Sequence, residues 1–353
     1  MRTGGALRAR STLPVDGWLA ALDGLFTIPA GYRQEDVDRT GALDVLRCSD
    51  EVLTELVNAG LPHAGEGELF DRHDLFNLAL YSKSGTSAAE LGIRFALRWM
   101  THDPRTWFQP MRWTYSLTMT APPDGSGPAA FAVARPMPEL FGGRVERIGA
   151  RAAGQVAETP PPTGPDVVVV TEGGTAQVDA VLRTAGEPRT LRSRRLREIV
   201  SEYSHGDHRW ARMPEELQRH PELVLPHGVA PCISVSLDLA AKARAAGYPA
   251  RTRRGWILGV LDLAHSWLEV TDDDGQVKVV DPIFAGLADH AGGAHPDFRT
   301  ACFGSALNRL LPTAHEADEG LYEHRRGGVT TVPKTTLTIR AAKELNEMTK
   351  DSP

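Results

Sequence analysis

Apolar and polar side chains alternate most regularly between Trp113 and Thr120, where Trp, Tyr, Leu and Met occupy every second position and Ser and Thr lie between them. A period of two predicts a half-buried β-strand. Less regular apolar runs at 144–155 and 167–171 predict further strands, whereas the run at 177–182 fits a strand or a helix. We therefore expect β-structure in this part of the chain.

The first hundred residues follow the helical period instead. Ser49 precedes an apolar stripe and is predicted to cap a helix, and Asp16 is predicted to cap an earlier one. Ser87 and Glu90 have the spacing of a capping box. These features predict structure but point to no chemistry.

Composition and charge mainly exclude classes of protein. The chain of 353 residues is 41% hydrophobic and 24% charged, which is typical of a globular protein of two or three domains. A net charge of −6 lacks the basic footprint of a nucleic-acid-binding protein. Residues 1–14 are basic but lack the apolar segment of a signal peptide, and no long apolar run suggests a membrane span. We therefore expect a cytoplasmic protein that binds neither nucleic acid nor membrane.

The cysteines and histidines argue against metal chemistry. Cys48, Cys232 and Cys302 are odd in number and widely spaced, which fits free thiols better than a disulfide framework. Four histidines lie between His205 and His227, but no cysteine or carboxylate completes a recognisable ligand spacing. We expect no metal and no other cofactor.

Cys232 stands at the start of a predicted helix. The apolar positions of 233–246 recur at helical spacing, and Gly247 supplies a stop. Pro231 suits the first helical position, because its missing N–H would have no partner there. Free N–H groups and the positive end of the helix dipole would then favour the thiolate of Cys232. Taken alone, a buried structural cysteine is still the better interpretation.

A predicted hairpin follows this helix. Segments 264–271 and 276–282 are strand-like and flank a polar turn. A turn centred on Asp273 places His265 directly opposite Asp281, because the two are equally far from it along the chain. Opposed residues share a face, with Cβ atoms about 5 Å apart, so the carboxylate can hold the imidazole. A slip of one residue would send them to opposite faces.

Three short motifs in this region resemble the transglutaminase-like superfamily. They are Gly-x-x-x-Cys with its helix ending in Gly-Tyr-Pro-Ala-Arg, then His-Ser-Trp-Leu-Glu-Val, then Val-Asp-Pro. The resemblance implies a catalytic triad with Cys232 as nucleophile, His265 as general base and acid, and Asp281 as orienter. Trp267 fills the H-x-W position and is a candidate substrate-binding residue, as is Trp210.

The resemblance is close over 228–282, weaker from about Arg189, and departs from the family at Pro231, where many members have Gly or Asp. It implies an α+β fold with a papain-like core, in which the helix bearing the cysteine packs on an antiparallel sheet bearing the histidine and aspartate. The expected organisation is a helical N-terminal region (1–105), a β-rich region with a Pro-rich connection (106–187), a transglutaminase-like catalytic core (188–312) and a C-terminal extension (313–353).

The implied activity is acyl transfer through a thioester on the cysteine. The layout resembles bacterial members associated with peptide and polyketide biosynthesis, so we expect a thioester or amide acyl donor, an amine acceptor and amide-bond formation. Two alternatives stay open. One is a cysteine amidase or peptidase that transfers the acyl group to water, and the other is a catalytically silent binding module.

Two further segments suggest binding. A helix predicted over 190–203, begun by Pro188, carries a cluster of arginines. A solvated face is the ordinary interpretation, and docking of an acidic carrier protein or a phosphopantetheine phosphate is the sharper one. The Ser/Gly-rich segment 81–87 could bind an anion, although an interhelical loop is the more common outcome. The arginines are Arg192, Arg194, Arg195 and Arg197.

Overall fold

The structure is a computed structural model that describes residues 11–65, 67–122, 127–152, 164–203, 208–259 and 263–342. Most of the predicted Pro-rich connection, the basic residues 1–10 and His205 lie outside the described residues. The chain forms two compact units. Unit 1 consists of Met1–His102, Ser201–Asp238 and Pro282–Pro296, and unit 2 of Asp103–Val200, Leu239–Asp281 and Asp297–Pro353.

The α-helices are α1 (Val15–Asp23), α2 (Arg39–Leu46), α3 (Asp50–Asn58), α4 (Arg72–Tyr81), α5 (Ala88–Leu97), α6 (Arg194–Ser201), α7 (Glu215–Gln218), α8 (Pro221–Val224), α9 (Cys232–Ala245), α10 (Pro282–Leu287) and α11 (Asp297–Ala301). Short 3₁₀ helices cover Ala30–Tyr32, Arg98–Thr101, Pro104–Trp107, Pro138–Phe141, Leu225–His227 and Ala288–His290.

The strands are β1 (Glu35–Val37), β2 (Phe70–Asp71), β3 (Met111–Thr120), β4 (Ala129–Ala134), β5 (Arg144–Ala152), β6 (Asp166–Thr171), β7 (Thr175–Thr184), β8 (Ala250–Ile257), β9 (Leu263–Thr271), β10 (Val277–Val280), β11 (Phe303–Gly304), β12 (Leu310–Pro312), β13 (Tyr322–Arg326), β14 (Val329–Thr331) and β15 (Lys334–Ala341). The run at 177–182, which fits either element by pattern, lies in strand β7.

Unit 1 is mainly helical and contains the small antiparallel pair β1–β2. The Asp71 side chain accepts hydrogen bonds from the backbone N–H groups of His73 and Asp74 and so caps α4. A buried apolar cluster joins Ile28 to the segment 211–229 just before Cys232. The cysteine is thus preceded by a chain segment that the N-terminal region packs against.

Among its described residues, unit 2 forms three antiparallel sheets. We name them sheet A (β11–β10–β9–β8–β12), sheet B (β14–β13–β4–β6) and sheet C (β15–β3–β7–β5). The mixture of helices with antiparallel sheets confirms the α+β class. Sheet A carries His265 on β9 and leads to Asp281 directly after β10.

The strand predicted from alternation, Trp113–Thr120, is confirmed as the main part of β3, and its apolar side is buried. Tyr115 on this strand meets the Trp256 ring of β8 edge-on, with ring centroids 5.7 Å apart. Side chains of all three sheets join one apolar cluster here. This cluster fixes the sheet that carries the histidine.

Two of the predicted helix caps are confirmed and one is wrong. The Ser49 hydroxyl accepts from the first turn of α3, and Ser87 with Glu90 forms the capping box of α5. Asp16 does not cap α1, because the helix already begins at Val15. Its carboxylate lies in the first turn, where it can only complement the helix dipole.

Helix α6 begins at Arg194, several residues later than predicted. The Asp272 carboxylate accepts hydrogen bonds from the backbone N–H groups of Arg192 and Ser193 at 2.5 and 2.9 Å, which holds these residues outside the helix. The Ser193 hydroxyl then accepts from the N–H of Leu196 at 3.3 Å and caps the shorter helix. Across the described ranges, no helix is both long and apolar enough to cross a bilayer.

Candidate active site

Cys232 is the first residue of α9 and is 8% exposed. The N–H of Val235 donates to the Pro231 carbonyl at 3.1 Å, so Pro231 lies one position before the helix. The prediction that Pro231 occupies the first helical position is therefore wrong by one residue. The first N–H groups of a helix and its positive dipole end lie at this terminus. The sulfur therefore stands where a thiolate is stabilised electrostatically.

A glutamine that the sequence did not single out lies beside this cysteine. The Cys232 Sγ is 3.7 Å from the Gln218 Oε1, and the Gln218 Nε2 donates to the Met213 carbonyl at 3.0 Å. The Ser234 hydroxyl donates to the Gln218 carbonyl at 2.5 Å, which ties the end of α7 to the first turn of α9. No local pattern signals this contact, because two short helices and a loop separate the residues.

The hairpin after α9 has a different register from the predicted one. Thr271 pairs with Val277, and the N–H of Asp272 donates to the Gln276 carbonyl at 3.0 Å, so the turn is centred on Asp274 instead of Asp273. The prediction that His265 and Asp281 lie directly opposite each other is therefore wrong. The error amounts to two residues of register, and a shift of two leaves both side chains on the same face.

The two side chains are nevertheless in contact. The His265 Nε2 lies 2.6 Å from the Asp281 Oδ2, and the residues are only 4% and 2% exposed. The backbone N–H of Asp281 donates to the Cys302 carbonyl at 3.0 Å, which fixes the residue at the end of β10. A carboxylate at Nε2 selects the tautomer that carries the proton there, so Nδ1 keeps its lone pair and can act as a base.

A buried ion pair holds strand β9 in place next to the histidine. The Arg253 guanidinium donates to both carboxylate oxygens of Glu269, at 2.8 and 2.6 Å, and to the Thr313 carbonyl at 2.7 Å. This bidentate pair spans β8 and β9 and also reaches the segment after β12. The histidine is thereby carried by a rigid part of the sheet.

Close packing on β8 adds to this rigidity. Gly255 pairs directly with His265 across the two strands. A Cβ atom at Gly255 would lie 2.1 Å from the Leu311 carbonyl oxygen and 2.9 Å from the Trp267 ring. Only glycine fits between these neighbours. Strand β8 therefore packs closely against the Leu311 carbonyl of β12 and against the Trp267 ring of the strand that bears His265.

The two tryptophans predicted to bind substrate lie in different settings. Trp267 is 1% exposed, and its ring lies 6.1 Å from the His265 ring and 6.3 Å from the Phe141 ring. Trp210 is partly exposed, and its carbonyl accepts a hydrogen bond from the Tyr81 hydroxyl at 2.5 Å. It lines a cavity in unit 1. Trp267 thus packs beside the histidine, whereas Trp210 is open to a ligand.

The other two cysteines are buried. Burial, and then the nearby charge of Asp281, raise the pKa of the Cys302 thiol well above its usual value. The thiol of Cys302 therefore stays protonated at neutral pH. Cys48 is 2% exposed and lies outside the helices, whereas Cys232 is 8% exposed and begins α9, so Cys232 stays the candidate nucleophile.

The four arginines predicted to form a cluster have different surroundings in the structure. Arg194 and Arg195 are exposed and pair with Glu198 at 2.9 and 3.6 Å. The Arg197 guanidinium donates to two backbone carbonyls just before α6, at 2.9 Å each. Arg192 lines a cavity of about 450 Å³ in unit 2. Three of the four arginines are therefore available at the surface or in a cavity, and Arg197 is structural.

No cluster of three or more histidine, cysteine or carboxylate side chains suited to a metal ion occurs among the residues that the structure describes. His220 contacts Glu222 at 3.1 Å, and both are exposed.

The three residues of the predicted triad are divided between the two compact units: Cys232 belongs to unit 1, whereas His265 and Asp281 belong to unit 2. The triad of these three residues is a prediction from the sequence.

No protein-family model matches the chain, and no curated protein matches it. Among solved structures, the chain is similar to a "Putative Cysteine Protease" from Cytophaga hutchinsonii, with a TM-score of 0.37 and 11% sequence identity over 67% of this chain and 92% of that one. Such a low TM-score assigns neither a fold nor an activity.

Proposed function

We propose that the chain is a cysteine-dependent acyltransferase that forms an amide bond through an acyl-thioester on Cys232. The contact of His265 with Asp281 carries this proposal. Burying two ionisable side chains costs desolvation energy that well-packed apolar residues would avoid. Such a pair at a strand end is therefore a candidate for function, and its geometry is that of a base with its orienter.

The proposed mechanism follows from the atoms available. The His265 Nδ1 takes the thiol proton of Cys232, and the thiolate attacks the acyl carbonyl carbon of the donor. Asp281 stabilises the imidazolium that forms. The tetrahedral intermediate collapses as the imidazolium returns the proton to the leaving thiol or amine, which leaves an acyl-thioester on the enzyme.

The second half-reaction repeats these steps with a new nucleophile. The acceptor amine attacks the thioester carbonyl while the His265 Nδ1 removes a proton from its nitrogen. Collapse expels the Cys232 sulfur, which recovers a proton from the imidazolium, and the amide product leaves. Every proton taken by the histidine is returned within one turnover.

Gln218 is the proposed stabiliser of the oxyanion. Its Oε1 lies 3.7 Å from the sulfur, and its Nε2 donates to the Met213 carbonyl at 3.0 Å. When an acyl group is bound, the amide would release the Met213 carbonyl and turn its Nε2 towards the developing negative charge. N–H groups in the first turn of α9 are the other donors at this end of the helix.

A carrier protein is the proposed source of the acyl group. Arg194 and Arg195 are exposed on α6 and suit an acidic protein surface, and Arg192 suits a phosphate. This part of the proposal depends on the sequence resemblance and on these three positions. It is separable from the chemistry at Cys232.

Partition of the acyl group tests the reaction type. The protein is incubated with a panel of acyl-thioesters and with hydroxylamine or simple primary amines, and products are measured by mass spectrometry. Hydroxamate or amide formation that exceeds hydrolysis and is absent in Cys232→Ala supports the transferase. Free acid as the dominant product at saturating amine would instead identify a hydrolase, and no turnover with any donor would favour a binding module.

A further inference from the structure

A second chemically equipped cavity lies entirely within unit 1. Its volume is about 520 Å³, and its walls come from the end of α4, the loop 81–87, helix α5, the segment 208–210, and α10 with the chain that follows it. None of Cys232, His265 and Asp281 lines it. This cavity includes part of the Ser/Gly-rich segment singled out as a candidate anion site.

Three basic side chains, Lys83, Arg94 and Arg209, line this cavity. Within the described ranges, none of the three forms an ion pair with a carboxylate. The Arg209 guanidinium carbon lies 5.3 Å from the centre of the Tyr81 ring, an arrangement that leaves N–H donors for a ligand. The cavity therefore offers cationic donors that the protein itself does not neutralise by direct pairing.

Two acidic side chains, Glu90 and Asp289, also line the cavity. Glu90 is engaged in the capping box, where its carboxylate accepts from the Ser84 hydroxyl at 2.7 Å and from the Gly85 N–H at 3.2 Å. Asp289 is exposed and is the other acidic side chain in the lining. Three basic and two acidic side chains leave a net positive lining even with its histidines neutral.

The backbone beside these cations includes a strained conformation. Lys83 adopts a left-handed conformation with φ of 57°, which costs a non-glycine residue about 1–2 kcal/mol. Gly292 has φ of 74°, and a Cβ atom there would lie 3.4 Å from the Arg94 Cδ. His208 contributes a buried Nδ1 for which the described residues supply no hydrogen-bond partner. Strain and an unsatisfied nitrogen beside a cavity are features of ligand sites.

We propose that this cavity binds the phosphate or pyrophosphate group of a small molecule. Guanidinium forks and an ammonium group on separate elements suit an anion with oxygens in several directions, whereas a carboxylate needs only one fork. The volume lies within the range of small-molecule sites and exceeds the needs of a free phosphate, so an organic part would lie against Tyr81 and Trp210. The inference does not depend on the proposed activity.

Inorganic pyrophosphate is the probe. Its binding to the full chain is measured by isothermal titration calorimetry at low and at moderate salt, beside citrate as a carboxylate probe. Arg94→Gln and Lys83→Gln are each expected to weaken pyrophosphate binding at least tenfold, and added salt should weaken it further. Arg98→Gln is the matched control, because Arg98 is also exposed, lies one turn after Arg94 and donates to the Phe95 carbonyl outside the cavity.

Three results would overturn the proposal. They are an absence of pyrophosphate binding to the native chain, an affinity that Arg94→Gln and Lys83→Gln leave unchanged, and tighter binding of citrate than of pyrophosphate. Both substituted side chains are exposed, so the variants should fold, and circular dichroism checks this. Because thioester turnover is not measured, failure here leaves the proposed acyltransferase untouched, and the reverse holds as well.

Discussion

Replacing Asp281 by asparagine should weaken the nucleophile without removing it. The amide has nearly the shape of the carboxylate and keeps one hydrogen bond to His265, but it lacks the negative charge that stabilises an imidazolium. The contact is buried and 2.6 Å long, so solvent cannot take over this role. In the proposed mechanism, the imidazolium exists only when Cys232 has lost its proton.

The size of the effect follows from the lost interaction. A hydrogen bond to a charged group contributes about 1.5–3 kcal/mol, which corresponds to about a 10- to 150-fold change in the population of the thiolate–imidazolium pair. If the amide turns its NH₂ group towards Nε2, the imidazole adopts the other tautomer, and Nδ1 ceases to be a base. Asp281→Asn should therefore slow the reaction of Cys232 by at least tenfold.

Alkylation by iodoacetamide measures this directly. The rate at Cys232 is followed by peptide mass spectrometry from pH 5 to 9, with Asp273→Asn as the control, because Asp273 is exposed in the turn of the same hairpin. The melting temperature shows whether each variant is folded. A folded Asp281→Asn protein that is alkylated at the native rate across this range would refute the assignment of the pair to Cys232.

Three further predictions concern stability and substrate recognition. Burial raises the pKa of Asp74 from 3.8 to about 7, so the contribution of Asp74 to folding stability should fall as pH rises from about 4 to 7. Asp74→Asn should remove this contribution, so that the variant gains up to about 4 kcal/mol on the native protein between pH 4 and pH 8, measured by urea unfolding. A difference in stability between the variant and the native protein that does not change with pH would contradict this. Gly255→Ala should cost several kcal/mol and reduce the alkylation rate of Cys232, because the new methyl group meets the Leu311 carbonyl beside the histidine strand. Unchanged stability would show that β8 and β12 separate easily. Arg194→Ala with Arg195→Ala should raise KM for carrier-bound thioesters only, and an equal rise for small thioesters would exclude a docking role.

Sequence patterns predict those elements whose structure depends on residues close together in the chain. The alternation in Trp113–Thr120 predicts β3, and Ser87 with Glu90 predicts the start of α5. Gly247 follows α9 with φ of 88°, and the N–H of Tyr248 donates to the Ala243 carbonyl at 3.0 Å, which is the hydrogen bond of a glycine-terminated helix. Each of these signals depends on residues within one turn or one strand.

In the hairpin of β9 and β10, the sequence predicts the shared face of His265 and Asp281 but not the register. Gly275 has φ of 72° and ends a three-residue loop, a common type in which glycine takes the left-handed position. A turn placed one residue too early shifts the predicted partner of His265 by two residues, yet the predicted face is correct because two is the period of a strand. The contact with Asp281 could thus be anticipated, although its geometry could not.

Other features depend on residues far apart in the chain. The late start of α6 follows from Asp272, about eighty residues away, and the neighbour of Cys232 is Gln218 on a separate short helix. Neither residue stands out by spacing or composition. Sequence patterns describe the residues of an element, whereas such contacts depend on how the elements pack.

Acyl loading of Cys232 tests the central claim most directly. The native protein, Cys232→Ala and Cys302→Ala are incubated with a panel of carrier-bound and small-molecule thioesters, and the intact masses are measured after rapid quenching. We expect an increase by the mass of one acyl group on the native protein and on Cys302→Ala, mapped to Cys232, and none on Cys232→Ala. Turnover that persists in Cys232→Ala, or an acyl group carried elsewhere, would contradict it.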